Sequence, residues 1–173
     1  MFRQKNSHDV VRQGLKALYP RLWRYCLALT ANPQRADDLT QAVCLRALER
    51  FAQFKQDTHL DRWVFRIAKN VWLNELRAES VRRGGGLASI DEIELTDTLP
   101  DPEMNLLARE VLLEVMRLPE AQRETVMLVY VEGYSYKEAA EVLEIPVGTV
   151  MSRLAVARTR LGTKFERRKS ETG

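Results

Sequence analysis

The C-terminal part of the chain carries the clearest helical pattern of apolar and polar positions. Apolar residues recur there at i, i+4, i+7 and i+11, which predicts an amphipathic helix with one face against a core; they are Val150, Leu154, Ala157 and Leu161. A short helix is predicted before it, because Ser135 and Glu138 form a Ser-x-x-Glu capping box. Gly133 is expected to end the helix before that one, where a left-handed residue is needed. Pro146 and Gly148 separate the last two helices, and this succession is that of a helix-turn-helix.

A helix-turn-helix places its last helix in the major groove of duplex DNA. The outward face of that helix carries the candidate DNA contacts Met151, Ser152, Arg153, Ala155, Val156, Arg158 and Thr159. The alternative interpretation is a helical hairpin inside a bundle. DNA binding is favoured because the capping box, the small residues Ala139 and Ala140, and the following basic helix occur together.

The N-terminal half is also predicted to be helical. Apolar residues keep a helical period from Val10 to Leu29, with a bend or break expected near Pro20. Asn32 and Pro33 indicate the start of the next helix, with Asn as the N-cap and Pro as the first helical residue.

Two acidic residues of this second helix, Asp37 and Asp38, are expected in its first turn, where the helix dipole favours negative charge. Its inward positions are Leu39, Val43, Leu48 and Phe51. After the loop of residues 54–59, Thr58 and Asp61 form a second capping-box pattern that is expected to open a third helix. The buried stripe of that helix is predicted to be Leu60, Val64, Ile67 and Val71. The predicted fold class is therefore all-α, with two small helical domains, the second a helix-turn-helix.

Another face of the third helix combines cations with an aromatic ring and amides. The residues are Arg62, Trp63, Arg66, Lys69, Asn70 and Asn74. Cations can follow phosphates, rings can stack on bases and amides can contact base edges, so this mixture suits single-stranded or opened DNA. The alternative is a solvated basic face that contains one core tryptophan.

The charge of the chain is more informative in its distribution than in its total. The 173 residues carry a net charge of +3 and have a pI near 9.0. No Lys or Arg occurs from Gly84 to Glu103, where six acidic residues are found, and basic residues flank this segment on both sides. We expect a flexible acidic linker between two DNA-binding surfaces.

The cysteines and the apolar segments predict a cytoplasmic location. Cys26 and Cys44 lie in apolar helical stretches without a CxxC motif, which is typical of buried thiols in a reducing compartment. The sequence shows neither a signal peptide nor an apolar run of membrane-spanning length, so no membrane insertion is expected.

Three segments together resemble bacterial sigma factors of the extracytoplasmic-function (ECF) group. ADDLTQAVCLRAL is similar to the family's A-x-D-L-x-Q-x-x-x-L-R-A, and RWVFRIAKNVWLNELR is similar to W-L-x-x-I-A-x-N-x-x-x-x-x-x-R. The helix-turn-helix segment, from LPEAQRETVML to VGTVMSRL, is the third. The resemblance implies a region 2-like domain over residues 8–80, an acidic linker over 81–103 and a region 4-like domain over 104–168. In the family the linker threads the active-site cleft of the polymerase.

The resemblance also implies roles for the candidate residues. Core RNA polymerase would be bound by Asp37, Asp38, Leu39 and Gln41. The −10 promoter element would be bound and opened by the loop of residues 54–59 and by Arg62, Trp63, Arg66, Lys69, Asn70, Asn74 and Arg77. The −35 element would be bound by Thr149, Met151, Ser152, Arg153, Ala155, Val156 and Arg158. The implied partners are core RNA polymerase, promoter DNA and an anti-sigma factor, and no cofactor, metal or catalytic residue is implied.

The chain departs from the common family pattern in the recognition helix. Family members usually have a basic residue at the position of Met151, and often His-Arg or Phe-Arg in place of Ala155 and Val156. Fewer long cations mean fewer bidentate contacts to guanine. We therefore expect recognition of the −35 element to depend more on DNA shape and methyl contacts than is usual in the family.

Two other classes of function are considered. One is a helix-turn-helix regulator that binds duplex DNA without polymerase; a response regulator of this kind would also need a receiver domain with strands, which the sequence does not predict. The other is an enzyme acting on nucleic acid. The sequence argues against this class, because it shows no nucleophile–base pair, no metal-ligand cluster and no phosphate-binding loop. His8 and His59 are isolated from each other and from any such set.

Overall fold

The computed structural model describes residues 2–85 and 106–172, and the side chains of residues 7–85 and 109–163. Throughout these ranges the ordered elements are helices, which confirms the all-α fold class. They are α1 Phe2–Thr30, α2 Pro33–Glu49, a 3₁₀ turn Phe51–Gln53, α3 Leu60–Arg82, α4 Leu106–Met116, α5 Glu120–Val126 with a π-helical turn Met127–Val131, α6 Tyr136–Leu143 and α7 Val147–Thr172. The chain divides into two compact units, residues 1–94 and 95–173. Most of the predicted acidic linker lies outside the described residues.

The N-terminal unit packs α1 against α2 and α3 around a shared apolar core. Tyr25 of α1 and Phe65 of α3 are fully buried and stack with ring centroids 4.8 Å apart. Gly14 permits α1 to lie close to Leu60, because an added Cβ would overlap that side chain. The helix continues through Pro20, where a bend or break was expected. Pro20 is exposed, so water can satisfy the backbone carbonyl that the proline leaves without a donor.

The start of α2 confirms one predicted cap and corrects a second expectation. The Asn32 side chain accepts a hydrogen bond from the backbone N–H of Arg35 at 3.0 Å, and Pro33 is the first helical residue. Because the helix begins at Pro33, its first turn is complete before Asp37 and Asp38 are reached. The prediction that these carboxylates lie in the first turn is therefore wrong, and both are exposed in the second turn.

The predicted capping box at the start of α3 is also wrong. His59 is the N-cap residue, and its side chain makes no capping hydrogen bond. The Thr58 hydroxyl donates to the Lys55 carbonyl at 2.7 Å, inside the preceding turn. Asp61 accepts a hydrogen bond from Arg21 of α1 at 3.2 Å, so tertiary packing competes with the local cap for its carboxylate.

The C-terminal unit contains the predicted helix-turn-helix. The Ser135–Glu138 capping box is formed in both directions, with N···O distances of 3.2 and 2.8 Å. Gly133 has a φ of +74°, as expected for a left-handed residue just after a helix. Val150, Leu154 and Ala157 of α7 have no exposed surface, and Ala139, Ala140 and Leu143 of α6 are buried. The predicted core face of the last helix is thus confirmed for these three residues, whereas Leu161, its fourth predicted member, is half-buried.

The boundaries of the two predicted domains remain predictions, but one helix end can be compared with them. Helix α3 continues through Arg82, two residues beyond the predicted end of the first domain at residue 80. Within the described residues, no helix is both long enough and apolar enough to cross a membrane.

Candidate nucleic-acid interface

Three exposed residues in the first turns of α7 are apolar. Met151 is 53% exposed and Val156 is 44% exposed, and Ala155, which is also exposed, follows Met151 by four positions. The hydroxyl of Ser152 donates to the Thr149 carbonyl at 3.0 Å, within the helix. Thr149 itself is half-buried in the first helical turn. This part of the helix therefore presents methyl and thioether groups, together with the lone pairs of one hydroxyl oxygen.

Arg153 does not share this orientation. Its guanidinium Nη1 lies 3.2 Å from Oε1 of Glu124 and 3.5 Å from the carbonyl oxygen of Ala121, both on α5. The Glu124 side chain is 2% exposed and that of Arg153 is 25% exposed. The predicted DNA contact is thus directed into the domain, where it links the recognition helix to α5.

The spacing of residues along α7 indicates that Arg153 is directed inward. Arg153 follows the fully buried Val150 by three positions and precedes the fully buried Ala157 by four, so all three lie on one side of α7. Glu124 was not identified from the sequence.

Arg158 is exposed and points outward, in contrast to Arg153. Its Nη1 donates a hydrogen bond to the hydroxyl oxygen of Tyr130 at 2.8 Å. This hydrogen bond, and after it the nearby hydroxyl of Tyr136, raises the pKa of Arg158 above its ordinary value. Both tyrosines are exposed, at 54% and 37%, and neither was identified as a site residue from the sequence.

A buried arginine connects α5 to the end of α4. Arg123 donates from Nη1 to the carbonyl oxygens of Met116 and Leu118, at 3.1 and 2.9 Å. These contacts satisfy backbone carbonyls at the end of α4, which have no partner inside that helix. Burial lowers the pKa of Arg123, and the nearby Glu120 and Glu124 oppose the shift.

The predicted −10 face of α3 is brought together as the sequence suggests. Arg62, Arg66 and Lys69 are half-buried along one side of the helix, while Asn70 and Asn74 are exposed. This side therefore offers cationic groups and two amides to a ligand in solvent.

The end of this face and the loop before it complete the surface. Arg77 is exposed and donates to the Asn74 amide oxygen at 3.3 Å. Trp63 is half-buried and packs at a tilt on the buried Phe54, with ring centroids 5.3 Å apart. Residues 55–59 are exposed, and the Gln56 amide donates to the Ser7 hydroxyl of α1 at 3.0 Å. The loop is therefore attached to α3 through Trp63 and to α1 through Gln56.

The predicted polymerase-binding residues occupy two sides of α2. Asp37, Asp38 and Gln41 are exposed, and Asp37 accepts a hydrogen bond from the indole N–H of Trp23 at 2.5 Å. Leu39 is 1% exposed, so it packs inside the unit and is not available to a partner. Leu45, which the sequence reasoning did not select, is 60% exposed and lies four positions after Gln41 on the same face.

The titratable groups near these surfaces do not form a metal site. Among the described residues, no group of three or more His, Cys, Asp or Glu side chains could hold a metal ion. Cys26 is buried and Cys44 is half-buried, and both are free thiols. Burial raises the pKa of Cys26 to about 12 and also raises that of Cys44. Burial likewise raises the pKa of Glu75, against the opposing charge of Arg35.

Comparison with protein families matches both units of the chain. Residues 15–82 match Sigma-70 region 2, and residues 108–161 match Sigma-70 region 4. The ECF RNA polymerase sigma factor EcfG of Rhodopseudomonas palustris is 33% identical over 153 residues, which span 88% of this chain and 83% of that protein. The chain belongs to the ECF group of RNA polymerase sigma factors. A more distant relative of this sigma factor, SigW of Bacillus subtilis, is 26% identical over 161 residues, or 87% of this chain and 86% of that protein.

Solved structures show the same fold. The sigma factor RpoE from Bartonella quintana, in complex with the anti-sigma factor NepR, matches with a TM-score of 0.76 at 25% identity, covering 90% of this chain and 96% of that one. CnrH in complex with the cytosolic domain of CnrY matches with a TM-score of 0.60 at 20% identity, covering 95% of each chain, and this second likeness shows the fold alone.

As an alternative sigma factor, this protein directs RNA polymerase to promoters. The rival interpretation, a helix-turn-helix regulator that acts without polymerase, is therefore wrong. Sigma factors are transcription initiation factors rather than catalysts. The helix-turn-helix pattern could not separate these two classes, because both use it; the region 2 match separates them.

Proposed function

We propose that this sigma factor uses three separate surfaces of its two units. The outward face of α2 binds core RNA polymerase, α3 with residues 54–59 binds and opens the −10 element, and α7 recognises the −35 element. The chain is further proposed to act in the cytoplasm without catalytic activity, cofactor or metal, and without inserting into a membrane.

The polymerase-binding face is proposed to consist of exposed residues of α2 only. Asp37 and Asp38 supply charge, Gln41 supplies an amide, and Leu45 supplies an apolar side chain that is 60% exposed. Apolar residues at the centre of an interface contribute when they are removed from water, while polar groups around them set the orientation. Leu39 is assigned to the core of the unit, where it fixes the position of α2.

The −10 surface is proposed to act on an unpaired strand. The exposed amides of Asn70 and Asn74 can hydrogen-bond to base edges, and the half-buried Arg62, Arg66 and Lys69 can neutralise phosphates. A base captured from the strand must be unstacked, and contacts in a pocket have to offset that cost. Trp63, which packs on Phe54, is proposed to hold the loop in place for this contact.

The −35 surface is proposed to contact thymine methyl groups through Met151, Ala155 and Val156. The observation that carries this assignment is that Met151, Ala155 and Val156 are exposed in the first turns of α7 while Arg153 is directed to Glu124. A thymine methyl is the one apolar group that a base pair presents in the major groove, and apolar side chains are its usual contact. The lone pairs of the Ser152 oxygen can accept from an adenine or cytosine amino group, since its hydrogen is donated within the helix.

A substitution of single methyl groups in the DNA tests this proposal. Holoenzyme is assembled from the sigma factor and core polymerase, and a promoter is chosen by run-off transcription of genomic fragments. Deoxyuridine then replaces thymine at each −35 position in turn, which removes only the methyl. We expect a loss of about fourfold in promoter binding for each contacted methyl, from about 0.8 kcal/mol per buried carbon group.

The matched control is a variant in which the apolar contacts are shortened. In Met151→Ala/Val156→Ala holoenzyme, the same uracil substitutions should have a smaller effect than with the wild type. Uracil in the spacer between the two promoter elements should have no effect on either. The assignment of the apolar residues to thymine methyl groups is wrong if promoter binding is weakened by changes at guanine O6 or N7 but not by removal of the methyl groups. Failure of the wild-type holoenzyme to start transcription at any promoter would contradict the assignment as a sigma factor.

We also propose that an anti-sigma factor controls this protein. The support is the likeness to RpoE from Bartonella quintana, whose solved structure contains the anti-sigma factor NepR. Size-exclusion chromatography of the chain with candidate anti-sigma proteins, followed by competition with core polymerase, tests the proposal. A true anti-sigma factor should form a complex with the chain and reduce its binding to the polymerase.

A further inference from the structure

A π-helical turn at the end of α5 places a tyrosine beside the recognition helix. The backbone N–H of Glu132 donates to the carbonyl oxygen of Met127 at 2.9 Å, an i to i−5 contact that widens the turn over Met127–Val131. Met127 and Leu128 remain buried, while Tyr130 is 54% exposed. The widened turn therefore keeps the apolar side chains in the core and presents the tyrosine to solvent.

The hydroxyl of this tyrosine holds Arg158 of α7. The guanidinium Nη1 donates to the Tyr130 oxygen at 2.8 Å. A guanidinium has five N–H donors, so the contact with one hydroxyl group leaves donors that can reach a phosphate. Arg158 lies seven positions after Met151 and three after Ala155, on the face of α7 assigned to the −35 element.

We infer that Tyr130 is a positioning residue for recognition of the −35 element. It acts through Arg158, whose guanidinium it orients before DNA binds. A long arginine side chain loses rotamer freedom when it contacts a phosphate, and a side chain that is already oriented loses less. The inference rests on the proposed assignment of α7 to the −35 element.

The experiment is a double-mutant cycle in holoenzyme, with promoter binding measured over a series of salt concentrations. Tyr130→Phe removes only the hydroxyl and keeps the ring. We expect it to weaken promoter binding about three- to tenfold, the usual range for one hydrogen bond. Arg158→Ala should weaken binding further and reduce the salt dependence by about one phosphate contact. In the Arg158→Ala background, Tyr130→Phe should have no additional effect.

The control is Tyr19→Phe, which removes the hydroxyl of an exposed tyrosine in the other unit and should leave promoter binding unchanged. The inference is overturned if Tyr130→Phe has no effect in the wild type. It is equally overturned if the loss is the same in the Arg158→Ala background, because a purely structural role does not depend on Arg158. If wild-type holoenzyme does not recognise a −35 element at all, the proposed function fails instead, and this outcome is distinct from the other two.

Discussion

Replacement of Arg153 by methionine should destabilise the C-terminal unit rather than remove a DNA contact. Methionine keeps much of the side-chain length but not the charge, so Glu124 loses its ion pair with Arg153. Glu124 is 2% exposed but Arg153 is 25% exposed, so the pair is only partly buried and its loss should cost about 2–3 kcal/mol, less than the penalty for a fully buried pair. That is a large share of the total stability of a small domain, which is about 5–15 kcal/mol.

The three tryptophans of the chain allow the two units to be followed separately. Trp23, Trp63 and Trp72 all lie in the N-terminal unit, so tryptophan fluorescence reports unfolding of that unit alone. Far-ultraviolet circular dichroism reports both helical units. Arg153→Met should lower the melting temperature of the transition seen only by dichroism by about 8–12 °C, at about 4 °C per kcal/mol. The fluorescence transition should not move.

The double variant Glu124→Gln/Arg153→Met is the matched control. A glutamine at position 124 has no charge to leave unpaired, so most of the lost stability should return. If Arg153 instead contacts DNA directly, its replacement should change promoter binding and not stability. Arg153→Met would then keep the stability of both units and would reduce the salt dependence of promoter binding by about one phosphate contact. That result would refute the positioning of α7 by this ion pair.

Three further predictions concern other parts of the chain. Leu45→Asp should weaken binding to core polymerase in a pull-down or anisotropy assay, whereas Val81→Asp, at a residue that is 80% exposed near the end of α3, should not; equal effects would contradict the proposed α2 surface. Because burial raises the pKa of Cys26 to about 12, iodoacetamide at pH 8 should modify Cys44 first by mass spectrometry, and similar rates would contradict the burial. The raised pKa also means that stability contributed by the neutral Cys26 thiol is present below pH 9.0 and is lost as the pH rises towards 12. Glu144 has a φ of +55°, so Glu144→Gly should raise the free energy of unfolding by up to about 1 kcal/mol in urea titrations, and a loss of stability would show that the side chain has a compensating contact.

The sequence predicted the features that depend on local chemistry. The Asn32 cap, the Ser135–Glu138 capping box and the left-handed Gly133 are each formed by residues within a few positions of one another. The apolar stripe of α7 was predictable for the same reason, because a helical period determines which residues share a face.

The features that sequence patterns did not predict depend on distant partners. Thr58 and Asp61 have the spacing of a capping box, yet Asp61 accepts from Arg21, which is 40 residues away. Arg153 was assigned to the DNA face from its residue type, although its spacing from Val150 and Ala157 places it on the buried side. The π-helical turn has no periodic signal, and without it the contact between Tyr130 and Arg158 could not be anticipated.

Arg153 and Arg158 of α7 therefore have different roles, although they are the same type of residue. Arg153 links the helix to α5 through a buried carboxylate, and Arg158 stays outside, held by the Tyr130 hydroxyl, which does not neutralise its charge. Between them the exposed residues Ala155 and Val156 are apolar, so under the proposed assignment this part of the helix distinguishes bases without many phosphate contacts. Among the described residues of α7 the exposed cations are Arg158 and Arg160, which supply only a limited salt-dependent affinity. Its selectivity is useful only when other surfaces supply the affinity, which is the situation of a sigma factor bound to core polymerase and in contact with a second promoter element.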